Sequence, residues 1–197
     1  MLPLPFAHAE YAAVLWLTSA VWAAMELPRI AKLRAARGAT VRDRGSLVVV
    51  LGLLALGILG AFACAVAVPG TAIAGNSPAV FWAGIVCIVL GIALRWYAIR
   101  VLGRYFTPVV AVHSDQQIVQ EGPYRYVRHP SYSGALLSLV GLGLALTNWL
   151  SLLVLLICAL AGLLYRVNVE ERALCETLGQ PYADYMRRTR RFIPFIW

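Results

Sequence analysis

Charge is scarce in this sequence. Only 13% of its 197 residues are charged and 61% are hydrophobic, against about 25% and 45–50% in soluble globular domains. The apolar excess is gathered into long runs, which points to a bilayer rather than to a large soluble core. Lysine is almost missing: Lys32 stands alone beside sixteen arginines. The first residues, MLPLPFAHAE, have no basic n-region, so no typical secretory signal peptide is expected. The four cysteines, Cys64, Cys87, Cys158 and Cys175, show no zinc-ligand spacing, so no metal site is expected and they read as small packing residues. No glycine-rich loop follows a strand pattern, which argues against a Rossmann-type nucleotide site.

What is present is four apolar blocks: 11–27, 47–68, 79–102 and 134–165. About 20 residues of helix cross the hydrocarbon, so the first three blocks fit one crossing each. The fourth is too long for one, and Thr147-Asn148 lies near its middle, where polar groups are costly in lipid. It is predicted to be a tight helical hairpin with arms 131–146 and 149–165. The alternative is one long tilted helix and four crossings. Charge favours the hairpin. The loop 29–44 carries Arg29, Lys32, Arg34, Arg37, Arg42 and Arg44, the loop 69–78 carries no charge, and the other basic residues cluster from the end of the third block onward. By the positive-inside rule all basic loops share the cytoplasmic side only with five crossings, N-terminus outside and C-terminus inside. The expected fold is therefore all-α and integral to the membrane, with about five transmembrane helices. Residues 1–102 form three N-terminal crossings and 103–197 a second region containing the hairpin 131–165. The net charge of +8 is explained by an anionic inner leaflet, with no nucleic-acid partner required.

The N-terminal half is expected to supply little but apolar surface. Glu26 should meet solvent or the basic loop. Arg95 can snorkel to the cytoplasmic surface with Arg100 and Arg104, or serve a site or structural pair. Gly57, Ala61 and Ala65, four apart, suit close helix packing, within the monomer rather than across a dimer seam. Residues 109–113 and 116–120 are predicted to form a short hairpin outside the lipid. The segment 122–134 opens with a Gly-Pro turn, and Pro130 suits the first turn of a helix, with His129 just ahead of it. Arg125, Arg128, His129, Tyr124, Tyr126 and Tyr132 then surround a helix N-terminus able to receive an anionic group; interfacial anchoring is the plainer alternative. Further on, Arg166 and Glu170 share one helix face and Val167, Glu171 and Leu174 the next. A carboxylate there can bind an ammonium or a sulfonium, or merely be solvated. Gly179 should end that helix, and Tyr182–Tyr185 should begin a short one.

Taken together, these segments resemble the isoprenylcysteine carboxyl methyltransferase family and the wider membrane methyltransferases, which include phospholipid N-methyltransferases. The pattern G-x-Y-x-x-x-R-H-P-x-Y-x-G is met by Gly122, Tyr124, Arg128, His129, Pro130, Tyr132 and Gly134; the double-glutamate motif by Arg166, Glu170, Glu171 and Leu174; and the closing motif by Gly179, Tyr182, Tyr185 and Ile193-Pro194. The resemblance spans 102–197. It implies S-adenosylmethionine as methyl donor, bound in a cytoplasmic C-terminal catalytic region. Tyr124, His129, Pro130, Tyr132, Gly134 and Glu171 would bind the cofactor, with Glu171 on its ammonium. Arg166 and Glu170 would be catalytic, Arg166 facing a lipophilic acceptor that comes from the bilayer. The arginine bias suggests a bacterial plasma membrane. Two other readings stay open: a membrane reductase related to the sterol reductases and using a nicotinamide cofactor, and a non-enzymatic lipid-binding subunit.

Overall fold

The computed structural model describes residues 2–31, 39–113 and 115–192. Lys32, Arg34 and Arg37 of the basic loop and residues 193–197, including the expected Ile193-Pro194 close, lie outside them, as do the side chains of Arg29 and His113. The helices are α1 (Leu4–Ala7), α2 (Ala9–Ala31), α3 (Ser46–Ala67), α4 (Pro78–Leu102), α5 (Pro130–Ala145), α6 (Trp149–Leu178) and α7 (Gln180–Arg188). Two short strands, β1 (Ala39–Val41) and β2 (Ala111–His113), pair antiparallel with Thr40 opposite Val112. By length and composition, the helices at Ser46–Ala67 and Trp149–Leu178 and the helical stretch Pro78–Tyr105 can each cross a membrane, and α5 is a shorter apolar helix.

The expected hairpin is present. α5 ends at Ala145, α6 begins at Trp149, and Thr147 turns the chain with φ 48°. Asn148 caps α6 by accepting from the Ser151 amide at 3.0 Å. The polarity of this turn is fully used. Thr147 Oγ1 donates to Asn76, Asn148 Nδ2 donates to the Val68 carbonyl, and the Ile73 amide donates to the Thr147 carbonyl. The α3–α4 and α5–α6 connections are thereby knotted at one end of the bundle.

Small residues set the helix spacing. On α4 and α5 the pairs Gly84/Gly141 and Gly91/Gly134 bring the backbones into contact: a Cβ on Gly134 would lie 2.6 Å from the Gly91 carbonyl oxygen. The Gly57–Ala61–Ala65 stripe of α3 packs inside the monomer, as expected; a Cβ on Gly57 would lie 2.9 Å from the Cys158 Cβ of α6. The Ser151 hydroxyl donates to the Ala61 carbonyl at 2.6 Å across the same seam.

Three local expectations are corrected. Residues 116–120 do not pair with 109–113; the partner of β2 is β1, from the α2–α3 connection, and Asp115 instead binds Arg104. Glu26 does not merely meet solvent, and of the two readings of Arg95 the structural pair is the one found: the two form a bidentate pair at 2.6 and 2.8 Å, while Arg95 Nη1 donates to the Ser131 carbonyl. A guanidinium inside an apolar helix is costly unless paired, and Glu26 at the end of α2 is the carboxylate within reach. Finally, the N-terminal half supplies more than apolar surface, because Asp43 enters the polar site described next.

Candidate functional site

The site forms at the end of the bundle opposite the Thr147 knot, where α5 begins and the second half of α6 passes it. Pro130 occupies the first turn of α5, and His129 precedes it with φ −124° and ψ 55°, outside the helical region that a following proline disfavours. Three sequence features converge here: the His-Pro turn, the double-glutamate helix and the C-terminal segment. The last lies alongside the first. The Arg128 and His129 amides donate to the Arg190 and Arg191 carbonyls, and the Arg190 amide donates back to Tyr126. Ser133 Oγ fastens the end of this strap by donating to the Phe192 carbonyl at 2.6 Å.

The two glutamates do different things. Glu171 is only 4% exposed and is ringed by donors: the guanidinium groups of Arg128 (Nε at 2.8 Å) and Arg191 (Nη2 at 2.8 Å) and the His129 imidazole (Nε2 at 3.2 Å). A carboxylate only accepts, so the His129 proton must sit on Nε2. The imidazole also stacks on Tyr132, centroids 5.6 Å apart and planes at 18°. Arg128 completes its fork on the Met186 and Thr189 carbonyls, locking α6, the His-Pro turn and the strap together. Glu170 instead lines the cleft, where it accepts from the Tyr132 hydroxyl at 2.7 Å.

Tyr132 is the link to Arg166, whose Nε donates to the same hydroxyl oxygen at 2.8 Å. The rest of the Arg166 fork is occupied by Asp43 Oδ1 at 3.2 Å, Ser46 Oγ at 3.3 Å and the Pro108 carbonyl at 2.6 Å. Asp43 is itself a hub, accepting from the Val110 and Leu47 amides and the Ser46 hydroxyl. Burial raises its pKa, but those donors and then Arg166 outweigh this and hold it below the usual aspartate value. Asp43 therefore ties the cleft wall at 108–110 to the head of α3. Sequence reasoning missed it, although it is the sole acid in a loop of arginines and lysine, and that was the available signal.

The resulting cleft encloses about 830 Å³, the solvent at its mouth included. Its polar side is Tyr124, Arg128, His129, Tyr132, Arg166 and Glu170; its apolar side includes Phe106, Val110, Leu174, Leu178 and Tyr182. The Tyr185 hydroxyl donates to the Tyr124 carbonyl at 2.7 Å. Burial, then the Glu170 carboxylate, pushes the Tyr124 phenol up, and burial pushes Tyr185 up to about 12, so both are protonated at neutral pH. Of the sequence-nominated residues, Tyr124, His129, Tyr132, Arg166 and Glu170 meet at the cleft. Pro130 shapes the turn behind it. Glu171 stands behind the wall, and Gly134 lies against Gly91 and Arg95 of α4, at a helix crossing. Arg125 and Tyr126 point elsewhere, the guanidinium 5.8 Å from the phenol ring.

Residues 84–176 match the model of the isoprenylcysteine carboxyl methyltransferase (ICMT) family. Over 119 residues the chain is 33% identical to a probable protein-S-isoprenylcysteine O-methyltransferase of Oryza sativa subsp. indica, covering 59% of this chain and 62% of that one. It is 34% identical over 115 residues to protein-S-isoprenylcysteine O-methyltransferase B of Arabidopsis thaliana (57% and 58% covered). It is 33% identical to the Saccharomyces cerevisiae protein-S-isoprenylcysteine O-methyltransferase (57% and 48% covered). The chain thus spans about half to three-fifths of the length of these relatives. Its fold superposes on the eukaryotic intramembrane Ras methyltransferase ICMT with TM-score 0.67 at 24% identity, covering 91% of this chain and 64% of that one. With its apolar helices and this shared fold the chain is an integral membrane protein, and over residues 84–176 it is similar to the isoprenylcysteine carboxyl methyltransferase family.

Proposed function

We propose that the chain is a methyltransferase that uses S-adenosylmethionine to methylate a lipophilic acceptor, in the cleft between the head of α5 and the second half of α6. One observation carries this reading: the His-Pro and double-glutamate motifs, 36 residues apart from Pro130 to Arg166, line a single cleft through Tyr124, His129, Tyr132, Arg166 and Glu170. The cleft suits the cofactor chemically. It offers one carboxylate, held in place by a phenol, for an ammonium, and an aromatic-aliphatic wall for a nucleoside. The ammonium role that the resemblance attaches to Glu171 passes in this proposal to Glu170, because Glu171 already faces two guanidinium groups and the His129 imidazole.

When bound, S-adenosylmethionine supplies a methyl group already activated on a sulfonium. The chain's task is to align and to exclude water. Tyr132 fixes the Glu170 carboxylate by its hydroxyl. His129, Arg128 and Glu171 hold the wall rigid. Arg166 has four of its five N–H groups committed, and the remaining Nη2 hydrogen can orient an anionic acceptor. His129 is held in a pair and a stack, which suits it poorly to act as a base. An acceptor that needs none, a carboxylate, therefore fits best, in keeping with the names of the relatives. The acceptor reaches the cleft from the bilayer, and the basic loop and the C-terminal segment face the cytoplasm of a bacterial plasma membrane with the N-terminus outside.

Calorimetric titration of detergent-purified protein with S-adenosylhomocysteine tests the reading. Wild type should bind. Glu170→Gln should weaken binding roughly 10-fold or more, the worth of one charge-assisted hydrogen bond, and His129→Ala should weaken it as well. Folded wild type that ignores this ligand and takes up a reduced nicotinamide cofactor would overturn the proposal in favour of a reductase.

A further inference from the structure

A second cleft lies back to back with the first. It is bounded by the turn between β1 and α3 and by the outer face of α6, and it encloses about 850 Å³, open solvent included. Arg42, Arg44 and Arg172 line it, with Val41, Val169 and Ala173 as an apolar floor. Arg42 is paired with Glu176. Among the described residues no acidic side chain pairs with Arg44 or Arg172, and Asp43 between them is committed to Arg166. The crevice thus has two free guanidinium groups.

Its height in the membrane follows from the helices. Arg166 reaches Ser46, the first residue of α3, so that level on α6 marks where the apolar span of α3 begins. Arg172 lies six residues further on, about 9 Å of rise. That is at the outer edge of the headgroup layer, which adds roughly 5–8 Å to each side of the hydrocarbon, and an arginine side chain can turn back into it. On α6, Tyr165 and Ile157, 42% and 59% exposed, continue the face that ends in Arg172.

We propose that this crevice binds the phosphodiester headgroup of an anionic glycerophospholipid of the surrounding bilayer, with Arg44 and Arg172 on the phosphate and the acyl chains along the exposed apolar stripe of α6 through Tyr165 and Ile157. Two guanidinium forks recognise a phosphate. The apolar floor and the stripe below it match an esterified lipid phosphate rather than a fully hydrated free anion. The site is separate from the methyl-transfer cleft, and its test needs no activity. The two clefts use opposite faces of α6, Arg166, Glu170 and Leu174 on one side and Val169, Arg172 and Ala173 on the other, and the 42–46 turn joins them where Asp43 reaches Arg166.

Native mass spectrometry of delipidated protein in detergent, titrated with phosphatidylglycerol or with phosphatidylcholine of the same chains, is the decisive experiment. Wild type should retain phosphatidylglycerol at lower lipid concentration, by on the order of 30-fold for two arginines at a headgroup layer. Arg44→Gln/Arg172→Gln should lose that preference. Arg44→Lys/Arg172→Lys should keep most of it, and Arg187→Gln/Arg188→Gln, which removes two exposed charges of α7, should keep it entirely. A glutamine variant that folds and still prefers phosphatidylglycerol overturns the assignment, as does a wild type with no preference. Displacement of the lipid by millimolar inorganic phosphate would overturn it too, making the crevice a site for free anions.

Discussion

Asp43 offers the sharpest test of how the site is held. In Asp43→Asn the carboxamide keeps one acceptor oxygen for Val110 and Ser46 but turns an NH₂ toward the Leu47 amide, a donor facing a donor. It also takes from Arg166, 5% exposed, the one carboxylate in direct contact with it, leaving only Glu170 beyond the Tyr132 hydroxyl. Breaking a buried ion pair by removing one partner costs about 3–5 kcal/mol. Arg166 would retain the Tyr132 and Ser46 oxygens and the Pro108 carbonyl, so the lower end, about 3 kcal/mol, is expected. For a chain of this length that is a fall of about 6–12 °C in Tm, read by tryptophan fluorescence during thermal unfolding in detergent. Asp184→Asn, which removes an exposed partner of Arg187, should move Tm by less than about 2 °C. The pH dependence has a definite sign. The folded Asp43 carboxyl titrates below the ordinary value of about 3.9, so its stabilisation is complete above about pH 4 and is lost as pH falls through the folded pKa. The wild-type and Asp43→Asn curves should therefore converge on acidification. An Asp43→Asn protein as stable as wild type at pH 7 would refute the view that this carboxylate holds Arg166.

Three further outcomes are expected. Glu26→Gln and Arg95→Gln should each destabilise the bundle, and the double variant should be less unstable than the sum, with a coupling on the order of 1–3 kcal/mol in a thermal double-mutant cycle; additivity would mean the pair does not hold α2 to α4. Gly134→Ala should cost on the order of 1–3 kcal/mol, because its Cβ would meet the Gly91 carbonyl at 2.6 Å and backbone cannot step aside. Gly52→Ala, whose Cβ would meet nothing within 4 Å, should be neutral or slightly stabilising by the same assay. Tyr132→Phe should weaken S-adenosylhomocysteine binding roughly tenfold by calorimetry, since the Glu170 carboxylate loses the hydroxyl that positions it; unchanged affinity would place the cofactor's ammonium elsewhere.

Much of this architecture was legible because it is local. The hairpin announced itself through Thr147-Asn148 in the middle of an overlong apolar run, and the start of α5 through Pro130. Pairs that cross the chain leave no such signature. Asp43 and Arg166 are 123 residues apart and Glu26 and Arg95 are 69 apart, and no periodicity connects them. What marked them was solitude: one acid in a basic loop, one acid at the end of an apolar helix, one arginine inside another. A buried charge demands a partner, so each isolated charge posed a question that only the packing could answer. The strand at 111–113 was misassigned for a related reason. Its β-branched character was plain, but a strand does not name its partner, and Ala39–Val41 lies some seventy residues away.

The two glutamates show where legibility stops within a motif. Arg166 and Glu170, four apart, share a face, and that face looks into the cleft. Glu171 is one residue and so about 100° further round the helix, and must meet whatever packs behind it. That neighbour is the seam between the His-Pro turn and the C-terminal strap, which supplies Arg128, His129 and Arg191. The spacing therefore implied two roles for the acidic pair but left open which residue took which. The choice is made by the strap, whose Arg190 and Arg191 carbonyls accept from the Arg128 and His129 amides and so carry the Arg191 guanidinium to Glu171. Losing that cation should loosen the wall while leaving Glu170 in place. Arg191→Gln is then expected to lower thermal stability by about 1–3 kcal/mol, the cost of one hydrogen bond to a buried charge, while changing S-adenosylhomocysteine affinity less than Glu170→Gln does. The reverse order of the two variants in the calorimeter would return the ammonium to Glu171.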